Sequence, residues 1–228
     1  MNPTQSSSIA ATANNPPITM LVTFKTKPEM TNAFQKALLH DLVNARKELG
    51  CITMQLFVDK NDSSILFFFE RWQNQSALDN HFAQTYTKAV LELAETALIS
   101  PMEILYMEDL APLSAEGIQG SSHEEDSVDL VVIFEVKAEG QERFKAQFLN
   151  SVKYSRPEPG CVSFHIHAVK EINSKFVLYE RWRNQEAFDF HLAQSYTKEL
   201  FESFSATLAK PVEECLIYLR DLTLSASK

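Results

Sequence analysis

Glycine is scarce in this sequence. Its 228 residues contain five, at 50, 117, 120, 140 and 160, and neither GxGxxG nor GxxxxGK[ST] occurs. A phosphate cradle needs closely spaced glycines so that backbone N–H groups can approach the anion, so the usual NAD and ATP sites are excluded. Cysteine is also sparse: three residues, an odd number. The N-terminal stretch lacks the basic start and apolar core of a secretory signal, and the expectation is free thiols in a reducing, cytoplasmic setting. Basic charge is in deficit, with 21 Lys and Arg against 30 Asp and Glu and a net charge of −9. No Lys/Arg cluster interrupts that balance, which argues against nucleic acid or an anionic membrane as partner. Nor does any apolar run approach the roughly 18 to 20 residues of a membrane-spanning helix.

What is abundant is apolar material, 45% of the chain, with 16 phenylalanines. It is organised as a repeat. Glu70-Arg-Trp-Gln-Asn-Gln-Ser-Ala-Leu-Asp-Asn-His-Phe-Ala-Gln-Thr-Tyr-Thr-Lys88 returns as Glu180-Arg-Trp-Arg-Asn-Gln-Glu-Ala-Phe-Asp-Phe-His-Leu-Ala-Gln-Ser-Tyr-Thr-Lys198. The offset of 110 holds without a gap from Gly50-Cys51 to Pro101, and becomes 112 at Asp109-Leu110 against Asp221-Leu222. The second copy therefore carries a two-residue insertion. A repeat of this length fixes the architecture before any other reading. It divides the chain into a tail (1–15), a first domain (16–112), a linker (113–126) and a second domain (127–224). The tail is polar and rich in Ser, Asn and Ala, and is expected to be flexible.

Each copy parses alike. A β-branched first strand (18–27 or 128–137) precedes a helix, about 29–49 in the first copy, with Phe34, Leu38, Leu39 and Leu42 at helical spacing. Gly50 suits a left-handed helix stop, and Pro157 should end the second copy's helix a turn earlier. Second strands begin near Cys51 and Cys161. The third strands, ending at Trp72 and Trp182, are almost continuously apolar, which means that both faces are covered. A long second helix (about 75–98 or 185–208) starts after Asn74 or Asn184, a good N-cap, and a last strand follows Pro101 or Pro211. The order βαββαβ is ferredoxin-like. Helices cover one sheet face, and the simplest cover for the other is the sheet of the second copy. The predicted fold class is α+β: two ferredoxin-like units packed sheet to sheet, as an intramolecular dimeric α/β barrel. A further homodimer of whole chains is left open.

Both copies resemble the antibiotic biosynthesis monooxygenase (ABM) superfamily of dimeric α+β barrels. The likeness rests on Gly-Cys before strand two, Glu-x-Trp ending strand three, Ala-x-x-x-His in helix two and the last strand after a proline. It implies a pocket in each unit between sheet and helices, and the family includes cofactor-free quinol monooxygenases and haem-degrading enzymes. Many relatives carry a second histidine five residues after the first, where this chain has Tyr86 and Tyr196. The haem-degrading branch has an asparagine on strand one, and none stands here in either copy. Fold-level likeness is a weak guide to chemistry.

The candidate residues come in pairs. His81 and His191, on a helix beside an apolar pocket, have the right chemistry to move a proton near neutral pH; the structural alternative is a bond to a carbonyl or to Glu70 or Glu180. Tyr86 and Tyr196 could polarise a carbonyl or hold a quinol hydroxyl, and complete the catalytic set. Trp72 and Trp182 would wall an aromatic substrate, or be plain core. Lys88 and Lys198 could steady an oxyanion, against their more common place on a solvated helix surface. Glu70 and Glu180 lie on the opposite sheet face from Arg71 and Arg181, so each must find another partner, and the arginines are expected to reach the facing copy. His165-x-His167 has a spacing that metals accept, but copy one has Gln55 and Phe57 there and no carboxylate or thiol completes a site, so no metal is expected.

These readings converge on a cofactor-independent monooxygenase that acts on a small aromatic, quinol-like substrate with O2 and needs no metal, flavin or haem. An isomerase or lyase on a small carbonyl compound would use the same acid–base residues. A non-catalytic small-ligand-binding or scaffolding protein is the third reading.

Overall fold

The computed structural model describes residues 16–111 and 126–223. The predicted tail, and the linker up to residue 125, lie outside the described residues. Unit one runs β1 (Ile18–Lys25), α1 (Thr31–Ala45), β2 (Cys51–Asp59), β3 (Ile65–Trp72), α2 (Gln75–Phe82), α3 (Thr85–Ala97) and β4 (Glu103–Asp109). Unit two repeats this as β5 (Val128–Glu135), α4 (Gln141–Ser155), β6 (Cys161–Val169), β7 (Lys175–Trp182), α5 (Gln185–Ala193), α6 (Ser195–Thr207) and β8 (Leu216–Asp221). The ferredoxin-like order is as predicted in both.

All strand pairs are antiparallel, and the two four-stranded sheets close on each other. β2 pairs with β8, placing Phe57 opposite Asp221, and β4 pairs with β6, placing Asp109 opposite His167. The result is a closed barrel in the order β1-β3-β2-β8-β5-β7-β6-β4. Closure leaves no sheet edge unpaired, so the two units are joined by backbone hydrogen bonds as well as by apolar contact. The period of two along β3 explains its unbroken apolar run. Leu66, Phe68 and Trp72 pack outward with Leu38, Leu42 and Leu78 of the helices. Phe67 and Phe69 point inward, against Val131, Val177 and Tyr179 of the other unit.

The barrel interior also holds charge. Arg71 forms a two-pronged pair with Asp109 (2.8 and 2.6 Å) and donates to Thr19 at 3.0 Å. Arg181 bonds Asp129 and Asp221, and its guanidinium lies 5.9 Å from the centre of the Phe57 ring. The arginines were expected to reach the facing copy. Both bond carboxylates of their own unit, Asp109 for Arg71 and Asp129 and Asp221 for Arg181, and the Arg181 guanidinium also meets Phe57 of the facing copy. His167 Nδ1 stands 3.2 Å from Asp109 Oδ1 across the other seam, poorly aligned for a hydrogen bond. Burial alone would raise the Asp109 pKa, but His167 and Arg71 hold it well below the usual carboxylate range. Burial drives the His165 pKa down to about 3, so that ring is neutral. Among the described residues no helix is long and apolar enough to cross a membrane.

Several local expectations are corrected. The long second helix is two helices, because Gln84 and Gln194 are extended (ψ 148 and 147). No Pro or Gly causes the break; it is stabilised by side-chain bonds described below. Gly50 is not left-handed. Gly160 alone among the described glycines has positive φ, at 88°, whereas Gly50 is demanded by packing, since a Cβ there would lie 2.2 Å from the Ala77 Cβ. Pro157 does not shorten α4, which ends at Ser155 in register with Ala45, because α1 also stops early. There the Arg46 side chain donates to the Met54 carbonyl and the chain turns. The two-residue insertion forms the short 3-10 turn Val212–Glu214 before β8.

Candidate functional site

The site is set by how each helix pair is pinned to the outer sheet face. Asn74 caps α2 by accepting from the Ala77 N–H at 3.0 Å, and Asn184 caps α5 the same way. One turn on, His81 and His191 point inward, 2% and 4% exposed. His81 lies flat on Trp72, with ring centroids 4.5 Å apart. The indole N–H of Trp72 donates to Glu70 Oε2 at 2.9 Å. Unit two repeats this with Trp182 and Glu180.

Each histidine also bonds a carboxylate that the sequence reading missed. His81 Nδ1 is 2.8 Å from Glu48 Oε1, and His191 Nδ1 is 2.8 Å from Glu158 Oε1. A carboxylate accepts, so Nδ1 carries the proton and Nε2 is the basic nitrogen of the neutral ring. Tyr86 and Tyr196 donate their hydroxyls to the same two glutamates. These bonds, common to both units, draw the first turn of α3 and α6 back toward the first helix beside the break at Gln84 and Gln194. Burial, reinforced by the glutamates, holds both phenols well above their ordinary pKa. They are therefore donors that brace Glu48 and Glu158, not bases facing a ligand.

The glutamates of the third strands behave differently. Burial raises the Glu70 carboxyl to about 7, against the lowering effects of the Trp72 bond and His81. Burial likewise raises Glu180, opposed by His191 and Trp182. Glu70 is thus an acid poised to hold a proton close to neutrality, and Glu180 is shifted in the same direction.

The two units differ in the space left beside these groups. Unit two encloses a cavity of about 170 Å3 between its sheet and helices, bounded by Phe134, Phe148, Phe164 and Phe204 and by the polar side chains of Glu180, His191 and Thr197. Phe201 and Tyr218, half-exposed in its wall, mark its mouth. The corresponding space in unit one is about 30 Å3. There Met20, Phe68, Phe82 and Asp41 stand where unit two has Leu130, Leu178, Leu192 and Ser151. Asp41 is buried, its pKa raised by desolvation.

Of the predicted residues, the structure brings Glu180 and His191 to the larger cavity and Glu70 and His81 to the smaller one. Trp72 and Trp182 line neither; they are fully buried behind the histidines and hold them in place rather than meeting a ligand. Tyr86 and Tyr196 also stand outside both. Lys88 and Lys198 are exposed on the solvent side of α3 and α6, because the helix break turns them away from the histidine face. His165 and His167 face the barrel interior, on the sheet face opposite that of Phe164, and line neither cavity. Among the described residues no three His, Cys, Asp or Glu side chains cluster to hold a metal ion.

These features define a closed α+β barrel built from two ferredoxin-like units, each with a carboxylate-held histidine between sheet and helices. The sequence profile of the antibiotic biosynthesis monooxygenase family matches residues 17–93 and 128–203, and the chain belongs to that family, with two copies of its domain. It is 32% identical over 103 residues to an uncharacterised protein of Synechocystis sp., covering 45% of this chain and 68% of that protein. Its fold is similar to that of a monooxygenase candidate of Fusobacterium nucleatum (TM-score 0.77, 15% identity, 91% of this chain and 93% of that one). A monooxygenase candidate of Lactobacillus acidophilus is also similar (TM-score 0.73, 15% identity, 90% and 94%). At these identities the structural likeness speaks to fold alone.

Proposed function

We propose that this protein is a cofactor-independent monooxygenase that oxidises a small quinol-like aromatic with O2 in the cavity of unit two. The observation that carries the reading is the convergence of His191, with Nδ1 bonded to Glu158, and the protonatable Glu180 on one aromatic-walled cavity. His191 Nε2 takes a phenolic proton, and Glu158 stabilises the imidazolium. The resulting anion is the reductant. It passes an electron to O2, the radical pair joins as a hydroperoxide, and loss of water leaves one oxygen atom on the ring. Glu180 donates to the developing ring oxygen. Apolar walls keep water away from the anion.

For 1,4-dihydroxynaphthalene the balanced reaction with one O2 gives 2-hydroxy-1,4-naphthoquinone and one water. Oxygen uptake with that quinol, under 18O2 and against the non-enzymatic rate, tests the reading. One labelled oxygen in the product is expected. Uptake no faster than without protein, or only unlabelled naphthoquinone with hydrogen peroxide, would overturn it.

A further inference from the structure

The repeat is broken at one buried polar pair. In unit one Thr87 Oγ1 donates to Asp41 Oδ1 at 2.8 Å. Unit two keeps the threonine, as Thr197, and replaces the carboxylate by Ser151. Ser151 turns to its own helix, with its hydroxyl 3.3 Å from that of Ser155. Thr197 is 1% exposed, lines the cavity, and its Oγ1 has no hydrogen-bond partner among the described residues. Buried hydroxyls are almost always bonded, so an unpaired one on a residue that lines the cavity points to a ligand. Unit one supplies the position: Thr87 Oγ1 lies 3.4 Å from His81 Nδ1, so the same repeat place sets Thr197 beside His191.

We infer that Thr197 is the specificity-determining contact of unit two, bonding an oxygen substituent on an aromatic ring, and that Ser151 in place of Asp41 is what leaves its hydroxyl to the ligand. In unit one the Asp41 carboxylate occupies the threonine and, with Phe68 and Phe82, fills the space where the ring would lie. Unit one is closed to such ligands. The surrounding aromatic wall accepts any flat apolar ring equally. Discrimination between an oxygenated ring and its hydrocarbon counterpart then falls to the polar groups, because an unmet buried hydrogen bond penalises the wrong ligand.

This inference rests on the cavity being the substrate site, and the test separates the two. The probes are 1-naphthol and 1-methylnaphthalene, alike in shape but differing in hydroxyl for methyl, titrated calorimetrically into the full chain without any turnover. Wild type should prefer 1-naphthol. Thr197→Val, of the same shape, should cut that preference roughly tenfold and leave 1-methylnaphthalene binding unchanged. Thr197→Ser should keep the preference. Ser151→Asp, which restores the arrangement of unit one, should cut it as Thr197→Val does; this variant decides the matter if Thr197→Val does not fold. An undiminished preference in Thr197→Val or in Ser151→Asp overturns the inference alone. Failure of both probes to bind wild type overturns the substrate-site reading and the inference with it. Intact binding behaviour without oxygen uptake overturns only the proposed chemistry.

Discussion

Trp182 lies nearly parallel to His191, with ring centroids 4.4 Å apart and an interplanar angle of 26°, while its indole N–H donates to Glu180 at 2.8 Å. One side chain thus fixes both the imidazole plane and a carboxyl oxygen. Glu158 fixes the tautomer from the opposite side. A ring held on two sides is ready for proton transfer without reorganisation.

This arrangement exists in both units, but only unit two has room beside it. His191→Ala should therefore lower oxygen uptake with 1,4-dihydroxynaphthalene by about 10²- to 10⁴-fold, the range usual for a lost general base. His81→Ala should leave the rate within about a factor of two. Equal losses from the two substitutions would contradict the division of roles.

Glu70 gives a pH signature in stability. Its carboxyl is raised from 4.5 to about 7, chiefly by burial, so the folded state binds its proton more tightly than the unfolded chain does. The stabilisation from that proton is complete below about pH 4.5 and is lost as pH rises through about 7. Glu70→Gln keeps an acceptor for the Trp72 indole and removes the titration. Urea unfolding should show the variant gaining on wild type by on the order of 3 kcal/mol between pH 4.5 and 8. A difference that does not change with pH would show that Glu70 is not held protonated.

The seams make a third prediction. Residues 126–228 alone would lose the strands that pair with β6 and β8, and would expose Val131, Val177 and Tyr179 of the barrel interior. That half should assemble as a homodimer, β8 of each copy pairing with β6 of the other, or precipitate. Sedimentation velocity distinguishes these from a stable soluble monomer, which would argue against barrel closure as the source of stability.

Much of the fold was legible because it was written twice. The 110-residue offset, the unbroken apolar run of Ile65–Trp72 and the Asn74 and Asn184 caps led directly to strands, helices and a shared barrel. The site was harder. Glu48 and Glu158 stand at the repeat offset, in Glu-x-Gly-Cys, two residues ahead of Gly50-Cys51 and Gly160-Cys161. That signal was present, but a glutamate near a helix end reads as solvated surface, and only the third dimension brings it to a histidine 33 residues away. The break at Gln84 had no Gly or Pro to announce it; the tyrosine bond to Glu48, repeated at Glu158, goes with it. The unpaired hydroxyl of Thr197 was invisible for the same reason: its cause is a substitution 46 residues earlier.

Closing the barrel within one chain has a genetic consequence. In a homodimer every substitution appears twice, so a residue that hollows one half hollows the other. Packing losses from a void scale with its volume, at about 24 cal/mol per Å3. Here each half is encoded separately, and the large-to-small replacements at Phe68/Leu178 and Phe82/Leu192 are confined to one of them. The filled half can hold the shared barrel together while its sister is free to change the shape of its cavity.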